Sequence, residues 1–225
     1  MQAHRARKRF GQNFLHDRSV IERILRAINA QPADNIVEIG PGLGALSAPL
    51  LDRLETLHVV ELDRDVIPRL RVACHDSAAL MVHEADALRF DFRPLADKGP
   101  LRVVGNLPYN ISTPLIFHLL DQAPVIHDMH FMLQKEVVDR ITASPGNKDY
   151  GRLSVMVQYR CKAEKLFTVG PGAFRPAPKV DSAIVRLTPY ATPPVEVTDK
   201  DVFAQVVARA FNQRRKTLRR TFKSL

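Results

Sequence analysis

An apolar run, Asn35-Ile-Val-Glu-Ile39, stops abruptly at Gly40-Pro41-Gly42-Leu43-Gly44. Such a run reads as a buried strand entering a glycine-rich turn at 35–40, with a helix predicted over 43–51 behind it. Glycines at 40 and 42 permit a tight turn and let a ligand approach the backbone, while the helix that follows presents free N–H groups. The spacing is G-x-G-x-G rather than the G-x-G-x-x-G of the dinucleotide fingerprint. A second strand is predicted at 57–62, and near its end stands Glu61, 21 residues beyond Gly40. A carboxylate at a strand end of this kind can accept both hydrogen bonds of a ribose diol. Turn and acid together favour a bound nucleoside cofactor over a purely structural turn.

The alternation extends on both sides of this unit. Ile21, Ile24, Leu25 and Ile28 follow helical spacing behind Asp17-Arg18-Ser19, with Ser19 and Glu22 placed like a capping box. Helices are predicted at 64–72 and 134–143, and strands at 80–85, 101–105 and 127–133. Thr113 and Pro114 fit an N-cap and first helical position ahead of the apolar run from Leu115 to Leu120. Short strands alternating with helices predict an α/β fold, a mostly parallel sheet covered on both faces.

Beyond 150 the pattern changes. Residues 151–161 alternate like a strand yet are long enough for three turns, and helix is preferred. Leu166–Val169 and Ala183–Leu187 are strand-like, and Gly170–Pro178, with three prolines and two glycines, reads as a loop. Val202, Phe203, Val206, Val207 and Ala210 mark a helix with one apolar stripe. Leu218, Phe222 and Leu225 form a second short stripe with nothing after it to pack on, the pattern of a small helical appendage cut short or of a terminal helix folded back. The division expected is 1–190 for the N-terminal arm and α/β domain, and 191–225 for a linker and the start of a small helical domain.

Charge separates the ends from the middle. The chain has 33 Lys and Arg against 24 Asp and Glu, a net of +9. Arg5, Arg7, Lys8 and Arg9 lie at one end, and Arg209, Arg214, Arg215, Lys216, Arg219, Arg220 and Lys223 at the other, with no acid in either stretch. Residues 10–208 keep 22 bases and 24 acids, a net of −2. Positive charge concentrated in this way suits attachment to a polyanion, nucleic acid first. No apolar run is long enough to span a membrane and no signal segment follows the basic start. The two cysteines, Cys74 and Cys161, are too few for a disulfide framework or a cysteine metal site, so the expected compartment is a reducing, cytoplasmic one.

Asp86 ends the third strand of the unit, where its carboxylate could accept the amine hydrogens of an adenine beside the small Ala87; a helix cap or a surface charge is the alternative. Asn106-Leu107-Pro108-Tyr109 follows the fourth strand directly. An exocyclic base amine is a poor nucleophile because its lone pair is delocalised into the ring. The Asn106 side-chain oxygen and the Leu107 carbonyl could each accept one N–H and aim the lone pair at an electrophilic methyl group. Pro108 restricts the turn and brings no competing N–H, and Tyr109 offers a flat face for an extruded base. Phe174, an aromatic in a proline-rich loop, suits a lid that clamps such a base, or else a loop anchor tucked into the core. His127 and His130 are expected on opposite faces of a strand, a poor metal pair. His58 and His83 read as packed or edge residues. No paired carboxylates or Ser/His/Asp set for hydrolysis, and no metal site, are expected.

With these motifs in order, the chain resembles the small-subunit (16S-type) ribosomal RNA adenine-N6,N6-dimethyltransferases, the bacterial kasugamycin-resistance methyltransferase family. The resemblance runs from Lys8-Arg-Phe-Gly-Gln-Asn-Phe-Leu15 through Glu38–Gly44, Glu61-Leu62-Asp63, Asn106–Tyr109, Gln134–Val137, Gly151–Ser154 and Phe174–Ser182 to Phe211–Thr217. It implies a Rossmann-like class I methyltransferase domain that uses S-adenosylmethionine and is followed by a small helical domain. The implied reaction is dimethylation of two adjacent adenosines near the 3′ end of small-subunit rRNA during ribosome maturation. The implied partners are that rRNA and the immature 30S particle, with the protein a monomer and no membrane involved. Gln12, Asn13 and Leu15 would line the methionine side of the cofactor. Gly40 and Gly42 would approach it through backbone, Glu61 and the adjacent Leu62 would meet its ribose side, and Asp86 and Ala87 its adenine. Asn106, Leu107, Pro108, Tyr109 and Phe174 would serve the target base, Asn106 also bordering the cofactor. Two other readings share the fold and basic ends: a nucleic-acid-binding or transcription-assisting protein without turnover, and a methyltransferase acting on large-subunit rRNA or DNA adenines.

Overall fold

A computed structural model of the chain describes residues 13–213 and 216–222. The first strand, β1 (Phe14–Leu15), is only two residues long. It is followed by β2 (Asn35–Ile39), β3 (Leu57–Glu61), β4 (Leu80–Glu84), β5 (Leu101–Asn106), β6 (Ile126–Gln134), β7 (Cys161–Val169), β8 (Phe174–Arg175) and β9 (Ser182–Pro189). Seven of these make one sheet in the order β4-β3-β2-β5-β6-β9-β7. Neighbours from β4 to β6 are parallel, and β9 runs antiparallel to both β6 and β7. The chain leaves β2 towards β4 and then returns on the other side as β5, so a topological switch point lies between β2 and β5.

Helices cover both faces, as the alternation predicts. On one face α1 (Arg18–Ile28), α2 (Ser47–Leu51) and α3 (Ile67–Ala73) bring Ile24, Leu25, Leu50 and Leu70 onto Ile36, Val59 and Val104. On the other, α4 (Ser112–Leu120) and α5 (Lys135–Thr142) bring Leu115, Leu119, Val138 and Ile141 onto Val37, Val103, Phe131 and Val185. Burial of both faces accounts for strands that read as almost continuous apolar runs. At the amino end of the sheet Arg102 joins three elements, donating to Asp34 at 2.7 Å, to Asp128 at 3.0 and 2.9 Å, and to the Ile28 carbonyl at 2.7 Å.

Several local expectations are corrected. Asp17, not Ser19, caps α1: its Oδ1 accepts from Ser19 N at 2.8 Å and Val20 N at 3.2 Å. The helix after the glycine turn starts at Ser47 rather than 43, because positive φ at Gly42 and Gly44 delays it. Pro114 sits at the third position of α4, not the first, and Thr113 makes no cap; an N–H there lacks an intrahelical acceptor in any case, so proline is tolerated. The 170–178 loop contains β8, paired antiparallel with β1.

Residues 152–158 form the helix α6 (Arg152–Gln158), as preferred, but β7 already begins at Cys161. α7 (Lys200–Asn212) is capped by Asp199 and docks on α6, with Phe203 against Tyr159 at 4.8 Å and Phe211 against Tyr150 at 5.8 Å between ring centroids. Val202 lies off its stripe and is 53% exposed. A short α8 (Leu218–Thr221) follows. No described helix is long and apolar enough to cross a membrane.

Candidate active site

The carboxyl ends of β2 to β5 open into a cavity of about 1380 Å3. That exceeds the ~300–1,000 Å3 usual for one small ligand and leaves room for a cofactor and part of a second molecule. Asn13, Leu15, Gly40, Gly42, Glu61, Leu62, Asp86, Ala87, Asn106, Leu107, Pro108 and Tyr109 all border it. The sequence-predicted residues of five separate segments therefore meet in one place.

The floor is the turn after β2. Gly42 has φ of +54°, and a Cβ there would stand 3.2 Å from the Phe14 ring. The left-handed conformation calls for glycine, and a Cβ would also press on the Phe14 ring. Beneath the turn Glu38 is buried and accepts a 2.6 Å hydrogen bond from Ser47 Oγ, which ties β2 to α2. Burial pushes the Glu38 carboxyl up to about 7, with the nearby Glu61 adding to the effect and Ser47 opposing it. Glu61 is 7% exposed and held by two backbone donors, Asp63 N at 2.8 Å and Gly42 N at 3.3 Å. Its carboxyl is also raised, because burial outweighs those hydrogen bonds. Glu38 and Glu61 thus lie together at one cavity that Asp86 also borders, a pairing the sequence did not lead us to expect. They flank a glycine turn rather than a hydrolytic centre, Glu38 held by Ser47 and Glu61 by backbone N–H groups.

Asp86 turns the chain after β4. Its Oδ1 accepts from Leu88 N at 3.0 Å and closes a turn; no helix starts there, so the residue is no helix cap, and it borders the cavity. Leu62, 51% exposed, and the buried Ala87 also border it.

On the opposite wall, Asn106 Nδ2 donates to the Asn13 carbonyl at 3.0 Å. Among the described residues its Oδ1 accepts no hydrogen bond, so the acceptor end of the amide is left for a ligand. Leu107 N–H is spent on the Met132 carbonyl at 3.2 Å. The Tyr109 hydroxyl lies 2.8 Å from Ser182 Oγ, and burial pushes its phenol up, against the lowering effect of Ser182. Tyr109 is therefore a neutral, tethered ring. Gly105, which sequence reading passed over, brings β5 against β2: a Cβ would lie 2.6 Å from the Ile39 carbonyl oxygen. A glycine inside a strand was the available signal.

Phe174 is where the structure departs most from the lid expectation. It is 2% exposed, pairs with Leu15 in the β1–β8 ladder and packs into the core; Arg175 and Pro176 reach the cavity instead. The loop-anchor alternative describes it. Gln12, Arg5, Arg7, Lys8, Arg9, Arg214, Arg215 and Lys223 lie outside the described residues, and Lys216, Arg219 and Arg220 are exposed near α8.

The bland readings of the histidines hold. His58 Nδ1 and His83 Nε2 lie 3.0 Å apart across β3 and β4, and His127 is exposed while His130 is buried. Among the described residues no group of three or more His, Cys, Asp or Glu could hold a metal. Cys74 and Cys161 are buried, with thiols pushed by burial up to about 11 and about 12, so neither is a nucleophile near neutral pH.

The sheet order with its reversed β9, and a cavity walled by a glycine turn, a strand-end acid and Asn106–Tyr109, define a Rossmann-like class I S-adenosylmethionine-dependent methyltransferase. The family model for ribosomal RNA adenine dimethylase matches residues 3–225, and the chain belongs to that family. It is 63% identical over 223 residues to the Pseudomonas aeruginosa protein named ribosomal RNA small subunit methyltransferase A, covering 99% of this chain and 83% of that one. Among solved structures it is similar to a dimethyladenosine transferase from Plasmodium falciparum, at 32% identity and a TM-score of 0.82 over 93% of this chain and 74% of that one. It is also similar to the 23S rRNA methyltransferase ErmE, at 30% identity and a TM-score of 0.77 over 93% of this chain and 83% of that one.

Proposed function

We propose that the protein transfers methyl groups from S-adenosylmethionine to N6 of two adjacent adenosines near the 3′ end of small-subunit rRNA, giving N6,N6-dimethyladenosine. It acts on the immature 30S particle in the cytoplasm, as a monomer. The observation that carries this reading is the Asn106 amide: its nitrogen is engaged by Asn13, which leaves an oriented acceptor beside the Leu107 carbonyl at the cavity wall.

The cavity's residues fit the cofactor. The backbone at Gly40 and Gly42 admits close approach, Glu61 is pre-oriented for a ribose diol with Leu62 next to it, and Asp86 with Ala87 suits an adenine. When bound, S-adenosylmethionine supplies an electrophilic methyl group. The protein's part is to receive an extruded adenine against Tyr109 and to accept its two amine hydrogens at Asn106 Oδ1 and the Leu107 carbonyl, localising the lone pair. No side-chain base is assigned. The Tyr109 phenol is neutral and tethered, and an N6 made cationic by methylation is acidic enough to lose its proton to solvent.

Residues 1–190 carry this chemistry. Residues 191–225, with Arg5, Arg7, Lys8 and Arg9, hold RNA through phosphates at Arg214, Arg215, Lys216, Arg219, Arg220 and Lys223. Mass spectrometry of nucleosides from 30S particles, naked rRNA and DNA incubated with protein and cofactor tests the assignment. Dimethyladenosine is expected in small-subunit rRNA. Product only in large-subunit rRNA or DNA, or none at all, rejects it.

A further inference from the structure

Besides the Asn106 amide bond to Asn13 and the Ile111 N–H bond to the Pro108 carbonyl, three contacts fasten the turn from Leu107 to Ser112. Leu107 N–H reaches the Met132 carbonyl at 3.2 Å, Ser112 Oγ donates to the Tyr109 carbonyl at 3.1 Å, and the Tyr109 hydroxyl stands 2.8 Å from Ser182 Oγ. The first two hold backbone. Only the third holds the ring.

Ser182 opens β9 and is fully buried. It pairs with Gln134 of β6 on one side and Val169 of β7 on the other, so the sheet interior sets its position. A hydroxyl buried there has no solvent to turn to, and among the described residues the Tyr109 hydroxyl is the one partner of its Oγ. Alanine would occupy the same space without a polar group to satisfy. A hydroxyl at this position has a use only if its partner needs one. The partner's ring borders the cavity and is half-buried, and a hydrogen bond at its far end restricts its side-chain torsions.

We propose that Ser182 is a positioning residue for methyl transfer: its hydroxyl pins the far end of Tyr109, so that the ring face is presented beside Asn106 where the target base arrives. This rests on reading Tyr109 as the base-receiving ring. Ser182 touches neither base nor cofactor and acts wholly through Tyr109.

The test is single-turnover methylation of 30S particles at saturating cofactor and substrate with the full chain. Ser182→Ala and Tyr109→Phe remove the same hydrogen bond from its two ends. Each should slow the chemical step by roughly tenfold, the effect of one buried hydrogen bond. The double variant should be no slower than either single one, as expected of two groups acting through one contact. Ser182→Thr, which keeps the hydroxyl, should recover most of the rate, and calorimetry should find cofactor affinity unchanged in all four. A wild-type rate in Ser182→Ala, or a double variant whose losses multiply, overturns the proposal. If Ser182→Ala does not fold, Tyr109→Phe carries the test alone, and a wild-type rate there overturns it equally. Tyr109→Ala separates the two levels: a wild-type rate rejects Tyr109 as base receiver, whereas a slow Tyr109→Ala beside an unaffected Ser182→Ala rejects the tether only.

Discussion

The side-chain amide of Asn106 donates to the backbone carbonyl of Asn13 at 3.0 Å, which joins the strand end that carries the turn to the short segment ahead of β1. One hydrogen bond thereby does two things. It sets which end of the amide faces the cavity, and it closes that wall with a segment far away in the chain.

Asn106→Ala should therefore reduce the chemical step much more than cofactor affinity. A loss on the order of 10²-fold in single-turnover rate is expected for removal of one preorganised polar contact to the reacting group. Quenched single-turnover assays alongside calorimetric titration of the cofactor check it. An unchanged transfer rate would remove Asn106 from the site.

Glu61→Ala should do the reverse. Two backbone donors hold this carboxylate in place, so its loss forfeits charge-assisted hydrogen bonds to the ribose and weakens cofactor binding by roughly 10- to 100-fold. Calorimetry with S-adenosylmethionine and, as control, NAD measures it. Preferential binding of NAD would overturn the cofactor assignment.

Glu38 makes stability depend on pH. Its folded carboxyl titrates at about 7, above the ordinary value of 4.5, so between these values the folded state holds a proton that the unfolded chain has released. Stability should then fall as pH rises from about 4.5 to 7 and level off above, by roughly 3 kcal/mol at most from this group. Glu38→Gln, which keeps a partner for Ser47, should flatten that slope and be the more stable protein at pH 8. Urea unfolding of both proteins across this range decides it, and identical slopes would contradict the buried-carboxyl account.

RNA attachment should be steeply salt-dependent. If about six phosphates are neutralised, the log–log slope of affinity against salt should lie near −4 to −6. Replacing Arg214, Arg215 and Lys216 by alanine should weaken RNA binding broadly, flatten that slope and leave cofactor affinity nearly unchanged. A triple variant that loses the cofactor and keeps its salt dependence would place the RNA surface elsewhere.

The sequence by itself determined the sheet and most of the cavity. Gly40 and Gly42 need positive φ, Glu61 and Asp86 sit at or just beyond strand ends, and Asn106 ends β5 with Leu107–Tyr109 directly behind it. Those properties are local, and an alternating α/β chain brings successive strand ends to one edge whatever the details. What only the tertiary structure decided are the pairings that orient these residues: Asn106 with Asn13, Tyr109 with Ser182, Gly105 against Ile39, and Glu38 with Glu61 in one cavity. It also decided Phe174, whose proline-rich surroundings suit a lid, until pairing of β8 with β1 turns it into the core. Each of these depends on which distant segment packs alongside, and no pattern of periodicity or spacing carries that information.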